Sequence, residues 1–87
     1  MARVFIPPLL REHTDGATEV SVAGKSLRQV VAAIEERFPN LRGHLRDGDR
    51  LIPGLAASID GVMTTQGLLA SVGPDSEVHF LPAIGGG

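Results

Sequence analysis

The chain has 87 residues, a formal net charge of −2 and no cysteine. That length holds one domain, residues 1–87, with a thin core that removes roughly 60–65% of the unfolded surface from water. Balanced charge without a basic stripe argues against nucleic acid as a partner, the lack of thiols removes disulfides and thiolate metal ligands, and no apolar run approaches the ~20 residues that span a bilayer.

No signal peptide is visible, so the expectation is a cytoplasmic protein without a membrane partner. Phe5, Phe38 and Phe80 are the only aromatic residues, which leaves Val, Leu, Ile and Ala to build the core. Arg3 to Ile6 alternates, with Val4 and Ile6 on one side and Arg3 and Phe5 on the other, as in a half-buried strand closed by Pro7 and Pro8. The polar stretch from Arg11 to Gly16 carries turn chemistry at Asp15-Gly16. Glu19 to Val22 alternates again with Val20 and Val22 inward, so the two runs predict a hairpin with a long connection.

From Ser26 to Phe38 the period changes. Leu27, Val30, Val31, Ile34 and Phe38 share one helical face. Ser26 and Gln29 fit a capping box that satisfies orphan backbone donors, and Pro39 stops the helix. Residues 40–54 are charged, glycine-containing and irregular, with one short helical turn around Leu41 to Leu45. Such a length predicts either a mobile loop or a recognition surface. Leu55 to Ile59 reads as a strand with Leu55, Ala57 and Ile59 inward, and Asp60-Gly61 suits a type I′ turn into Val62-Met63. Leu68-Leu69 predicts a turn that plugs one end of the core, Gly73-Pro74-Asp75 another turn, and Glu77 to Leu81 a last strand with Val78 and Phe80 inward.

The order β-β-α-β-β-β, with the first and last strands able to pair in parallel, predicts an α+β β-grasp: a mixed sheet with one main helix on one face. No catalytic constellation is found. His13, His44 and His79 fall in three segments without ligand-like spacing, Asp47-Gly48-Asp49 resembles a turn more than a cation site, and Gly16, Gly24 and Gly43 form no phosphate-cradling motif. No metal site is expected. Two features remain. Phe5 and His79 point outward by alternation on strands expected to be neighbours, and with Leu81 and Ile84 they form a candidate apolar docking patch. The chain closes on Gly85-Gly86-Gly87 directly after the last strand, which is either a frayed end or a narrow stalk whose final carboxylate an enzyme can reach.

The run Phe80-Leu81-Pro82-Ala83-Ile84-Gly85-Gly86-Gly87 resembles the terminus of the ThiS/MoaD family of ubiquitin-like sulfur carriers, and the likeness extends over essentially the full length. Gly86-Gly87 corresponds to the family's functional pair; Gly85 stands where Ala or Ser is usual. Ile6 to Gly16, with its proline, leucine-arginine and histidine-threonine-glycine run, is most similar to the CysO-type carriers of cysteine biosynthesis, although the 40–54 loop is shorter and richer in Arg and Asp than in that branch.

The resemblance implies a non-enzymatic co-substrate with no bound cofactor. An E1-like adenylating enzyme would use ATP to activate the Gly87 carboxylate, and a sulfur donor, sulfide or a persulfide-bearing protein, would convert it to a thiocarboxylate. The acceptor would be a PLP-dependent cysteine synthase, whose aminoacrylate intermediate the sulfur attacks. Alternatives are the small subunit of molybdopterin synthase, acting with that enzyme's large subunit, a thiamin thiazole carrier, a ubiquitin-like modifier, and a β-grasp interaction module with an idle tail. Residues 83–87 are expected as a flexible tail that extends at most about 17 Å.

Overall fold

The alternation of apolar residues is resolved by a single inner sheet face. The computed structural model describes residues 1–82; the expected tail 83–87, with Ile84, Gly85, Gly86 and Gly87, lies outside the described residues. β1 (Ala2–Phe5) pairs antiparallel with β2 (Glu19–Val22) and parallel with the last strand (Glu77–Pro82). Val4 sits opposite both Val20 and Val78, and all three are buried. The strand starts one residue earlier than the alternation predicts because Ala2 continues the inward set; Ile6, also buried, lies just beyond it.

α1 (Leu27–Arg37) covers that face with Leu27, Val30, Val31 and Ile34, each with no exposed surface. Its start matches the sequence signal with one difference. Ser26 Oγ accepts from the Gln29 amide at 3.2 Å, but Gln29 Oε1 accepts from the Lys25 amide at 2.8 Å, one residue before the usual partner. Gly24 permits the tight entry: a Cβ there would lie 2.9 Å from Val30 Cγ2 and 3.0 Å from the Val30 backbone nitrogen. Lys25, the single lysine, is exposed at this end of the sheet, beside Ala2, Val72 and Pro74.

The segment expected to be irregular is ordered. After a 3-10 turn at Pro39–Leu41, β3 (Arg46–Asp47) and β4 (Arg50–Leu51) form a small hairpin. Leu41 and Leu45 are buried. A charge pair fixes the hairpin to the helix: Arg46 Nε and a terminal guanidinium nitrogen lie 3.0 and 2.8 Å from one oxygen of Glu35, which is only 6% exposed. Arg28 on α1 pairs with Asp49 at the hairpin tip.

β5 (Leu55–Ile59) pairs antiparallel with β6 (Val62–Met63) and with β7 (Glu77–Pro82), completing the order β2-β1-β7-β5-β6. This is the predicted α+β β-grasp. Leu68 is buried while Leu69 is 78% exposed, so only the first of the two plugs the core. Asp60 and Gly61, both at positive φ (53° and 83°), make the tight turn. The Asp60 carboxylate accepts from the Glu77 amide at 2.9 Å and from the Ser76 hydroxyl at 2.8 Å, anchoring the start of β7. Among the described residues, no helix is long and apolar enough to cross a membrane.

Two expected outcomes follow from these anchors. Arg46→Ala strands a buried carboxylate and should lower unfolding stability by about 3 kcal/mol in urea titrations. The Asp60 carboxyl is held below its ordinary pKa of 3.8, first by the Glu77 amide and then by the Ser76 hydroxyl. The unfolded chain therefore takes up this proton first as pH falls. The contribution is complete above the ordinary value and lost on acidification through the lowered one. Asp60→Asn should flatten the acid limb of a stability-versus-pH curve relative to wild type.

Candidate functional site

β1 and β7 run parallel, so they finish at the same end of the sheet, and the residues that face away from α1 line up across them. Phe5 is the register partner of His79. Their rings stack at 4.3 Å between centroids with planes 1° apart. The Arg3 guanidinium lies 5.7 Å from the Phe5 ring centroid and is paired with Glu77 and, at 3.6 Å, Glu19. Its charge is thereby balanced within the face. On β5, Ser58 stands beside His79 and Ala56 beside Leu81. These small neighbours leave Leu81 39% exposed. The structure thus brings Phe5, His79 and Leu81 onto one face, as alternation predicts. Ile84, Gly85, Gly86 and Gly87 lie outside the described residues.

β7 stays paired to its last residue, Pro82, opposite Leu55. Beside that end lies an apolar groove of about 210 Å³, with Pro7, Leu9, His44, Ile52, Leu55 and Leu81 in its walls. Three segments build it. Pro7 and Pro8 turn the chain out of β1 into a 3-10 helix, Pro8–Thr14, opened by a 2.9 Å bond from the Leu10 amide to the Pro7 carbonyl. Arg11 Nε donates to the Ile6 carbonyl at 3.1 Å and ties this helix back to the strand end. The Ile52 amide donates to the Leu45 carbonyl at 3.1 Å, which brings the second wall across from the hairpin loop.

Sequence reading did not find this groove. Leu9 is 87% exposed, and its position after two prolines is the only local signal. His44 and Ile52 come from a loop expected to be irregular. The structure also joins two of the three histidines treated as unrelated. His13 and His44 stack at 4.2 Å between centroids with planes 23° apart, bridging the 3-10 helix and the loop; His79 stays with Phe5. Contact across 31 positions leaves no mark in spacing.

A larger cleft of about 770 Å³ lies between α1 and the hairpin loop, lined by Glu35, Glu36, Arg42, Arg46 and Asp49. It shares no residue with β7, and the Glu35–Arg46 and Arg28–Asp49 pairs neutralise much of its charge. The candidate site is therefore the end of the sheet where β7 leaves: an outer face and a groove.

No family model matches the chain. The sulfur carrier protein CysO of Mycobacterium tuberculosis is 30% identical over an alignment of 91 positions, gaps included, that spans 97% of this chain and 96% of that protein. Among solved structures, the Amycolatopsis orientalis BexX/CysO complex contains a chain with a TM-score of 0.90 at 26% identity, covering all of both chains. The small archaeal modifier protein 1 of Methanosarcina acetivorans superposes with a TM-score of 0.80 at 23% identity, covering 99% of this chain and 95% of that one, a likeness of fold.

The His13–His44 stack is worth testing alone. A double-mutant cycle to alanine should give a coupling of about 1 kcal/mol by chemical denaturation, with additive losses if the rings merely lie near each other.

Proposed function

The chain belongs to the CysO-type sulfur carriers, a ThiS/MoaD-like family, and we propose that it carries sulfur as a thiocarboxylate on Gly87. Its sulfur cannot ride on a side-chain thiol, because there is no cysteine. The Gly87 carboxylate attacks the α-phosphorus of ATP within an E1-like adenylating enzyme, pyrophosphate leaves, and a mixed anhydride forms. Hydrosulfide then attacks the activated carbonyl; alternatively, a persulfide-bearing donor attacks through its terminal sulfur, AMP leaves, and a thiol cleaves the resulting acyl disulfide to the thiocarboxylate, forming a disulfide with the donor. With hydrosulfide the C–O bond to the phosphate breaks, AMP departs, and one proton is released as the thioacid ionises. The CysO likeness favours cysteine biosynthesis as the destination, with a PLP-dependent cysteine synthase as acceptor. The chain itself is a co-substrate.

The observation that carries this reading is the near full-length match to CysO on a chain whose last strand runs to Pro82 and is followed by Gly85-Gly86-Gly87. Glycines suit threading because they are narrow and free in φ and ψ. Ordering residues 83–87 in a partner's channel costs about 1–2 kcal/mol each, or about 5–10 kcal/mol in all. At about 25 cal/mol per Å², offsetting that needs on the order of 200–400 Å² of apolar surface removed from water, and more once lost rotational and translational freedom is counted. One exposed leucine is too little. Phe5, His79 and Leu81 are the outer-face residues assigned to docking, and Ile84 and Gly85 are assigned to the channel entrance. The Amycolatopsis CysO in complex with BexX supports the expectation of a protein partner.

Incubation with the adenylating enzyme, ATP and sulfide should exchange one terminal oxygen for sulfur, visible in the intact mass. Deleting Gly86 and Gly87 should abolish that exchange and leave thermal unfolding nearly unchanged. A marked loss of stability on deletion would assign the glycines a structural task and sink the carrier mechanism.

A further inference from the structure

We infer that the apolar groove beside Pro82 is the socket in which the adenylating enzyme seats an apolar side chain from the rim of its channel. The inference rests on the carrier reading above. Pro82 is paired with Leu55, and both line the groove, so the last ladder residue of β7 is part of the groove wall. Five residues remain beyond it, and they reach at most about 17 Å when extended. An enzyme that draws Gly87 to its nucleotide must therefore press the mouth of its channel against the surface around Pro82.

That mouth meets a hollow whose lining is apolar except for His44. Its volume of about 210 Å³ suits one bulky side chain and falls below the ~300–1,000 Å³ of small-molecule sites. Leu9 stands at its lip, 87% exposed and outside the core. The outer sheet face alone offers little apolar surface, since Arg3 is committed to Glu19 and Glu77, and Phe5 already stacks on His79. Leu81 borders both face and groove and joins them into one docking surface. A rim side chain entering the groove would cover Leu9 and Leu81 together.

The test uses the full chain, its E1-like adenylating partner enzyme, ATP and sodium sulfide, with thiocarboxylate followed by intact mass against carrier concentration. Leu9→Ser should raise the half-saturating carrier concentration about tenfold, as expected when an interface leucine is lost, without changing the saturating rate or thermal unfolding. Leu9→Met should remain close to wild type. Val62→Ser, at a 69% exposed position on β6, should change nothing. Saturation of Leu9→Ser at the wild-type concentration would overturn the socket while leaving the carrier reading standing. A concentration-dependent dimer of the free protein that Leu9→Ser abolishes would assign the groove to a second copy and overturn it as well. No thiocarboxylate on wild type would defeat the carrier reading itself, and the socket with it.

Discussion

The parallel pairing of β1 with β7 is the constraint on which the rest depends. It joins sequence-distant strands at the sheet centre, with Val4 against Val78 in the core and Phe5 against His79 outside. Parallel neighbours finish at the same end, so the turn-out at Pro7 and the exit at Pro82 share one corner of the molecule. Every described residue assigned to partner docking lies at that corner or on the outer face beside it. Were the pairing antiparallel, Pro7 and the exit of β7 would lie at opposite ends.

Around that pairing the fold is held by modest local devices. Asp60 ties the start of β7 to the tight turn before β6, and Gly24 lets β2 pass close to α1. The Glu35–Arg46 pair performs a different task. A buried carboxylate is costly unless it is matched, and here the match comes from the hairpin loop, so the loop is ordered by the need to neutralise a helix residue. That order carries Ile52 and His44 into the groove wall.

What could be read from the sequence follows from how local each signal is. The helix face of Leu27, Val30, Val31 and Ile34, the Ser26 half of the capping box and the Asp60-Gly61 turn are written within a few residues and appear in the structure, whereas Phe38, expected on the same face, caps the helix from one residue beyond its last turn. The outward pair Phe5 and His79 was legible because strand alternation is a local rule and the order of elements implied adjacency. The loop hairpin was not legible, since Arg46 and Glu35 stand 11 positions apart on elements of different period. The groove was not legible for the same reason: Pro7, Ile52 and Leu55 meet only once the chain is folded. The stack of His13 on His44 leaves no trace in their spacing, because spacing carries no information about contacts between remote segments.

The position of Lys25 has a practical side. It is the one lysine, and it sits beside Ala2, where β1 begins, at the pole of the sheet opposite Pro82. Chemistry aimed at its amine would therefore attach a dye, a bead or a sensor surface at that far pole. Molecules immobilised through it would all stand in the same orientation, with the Pro82 end of the sheet turned toward the solution.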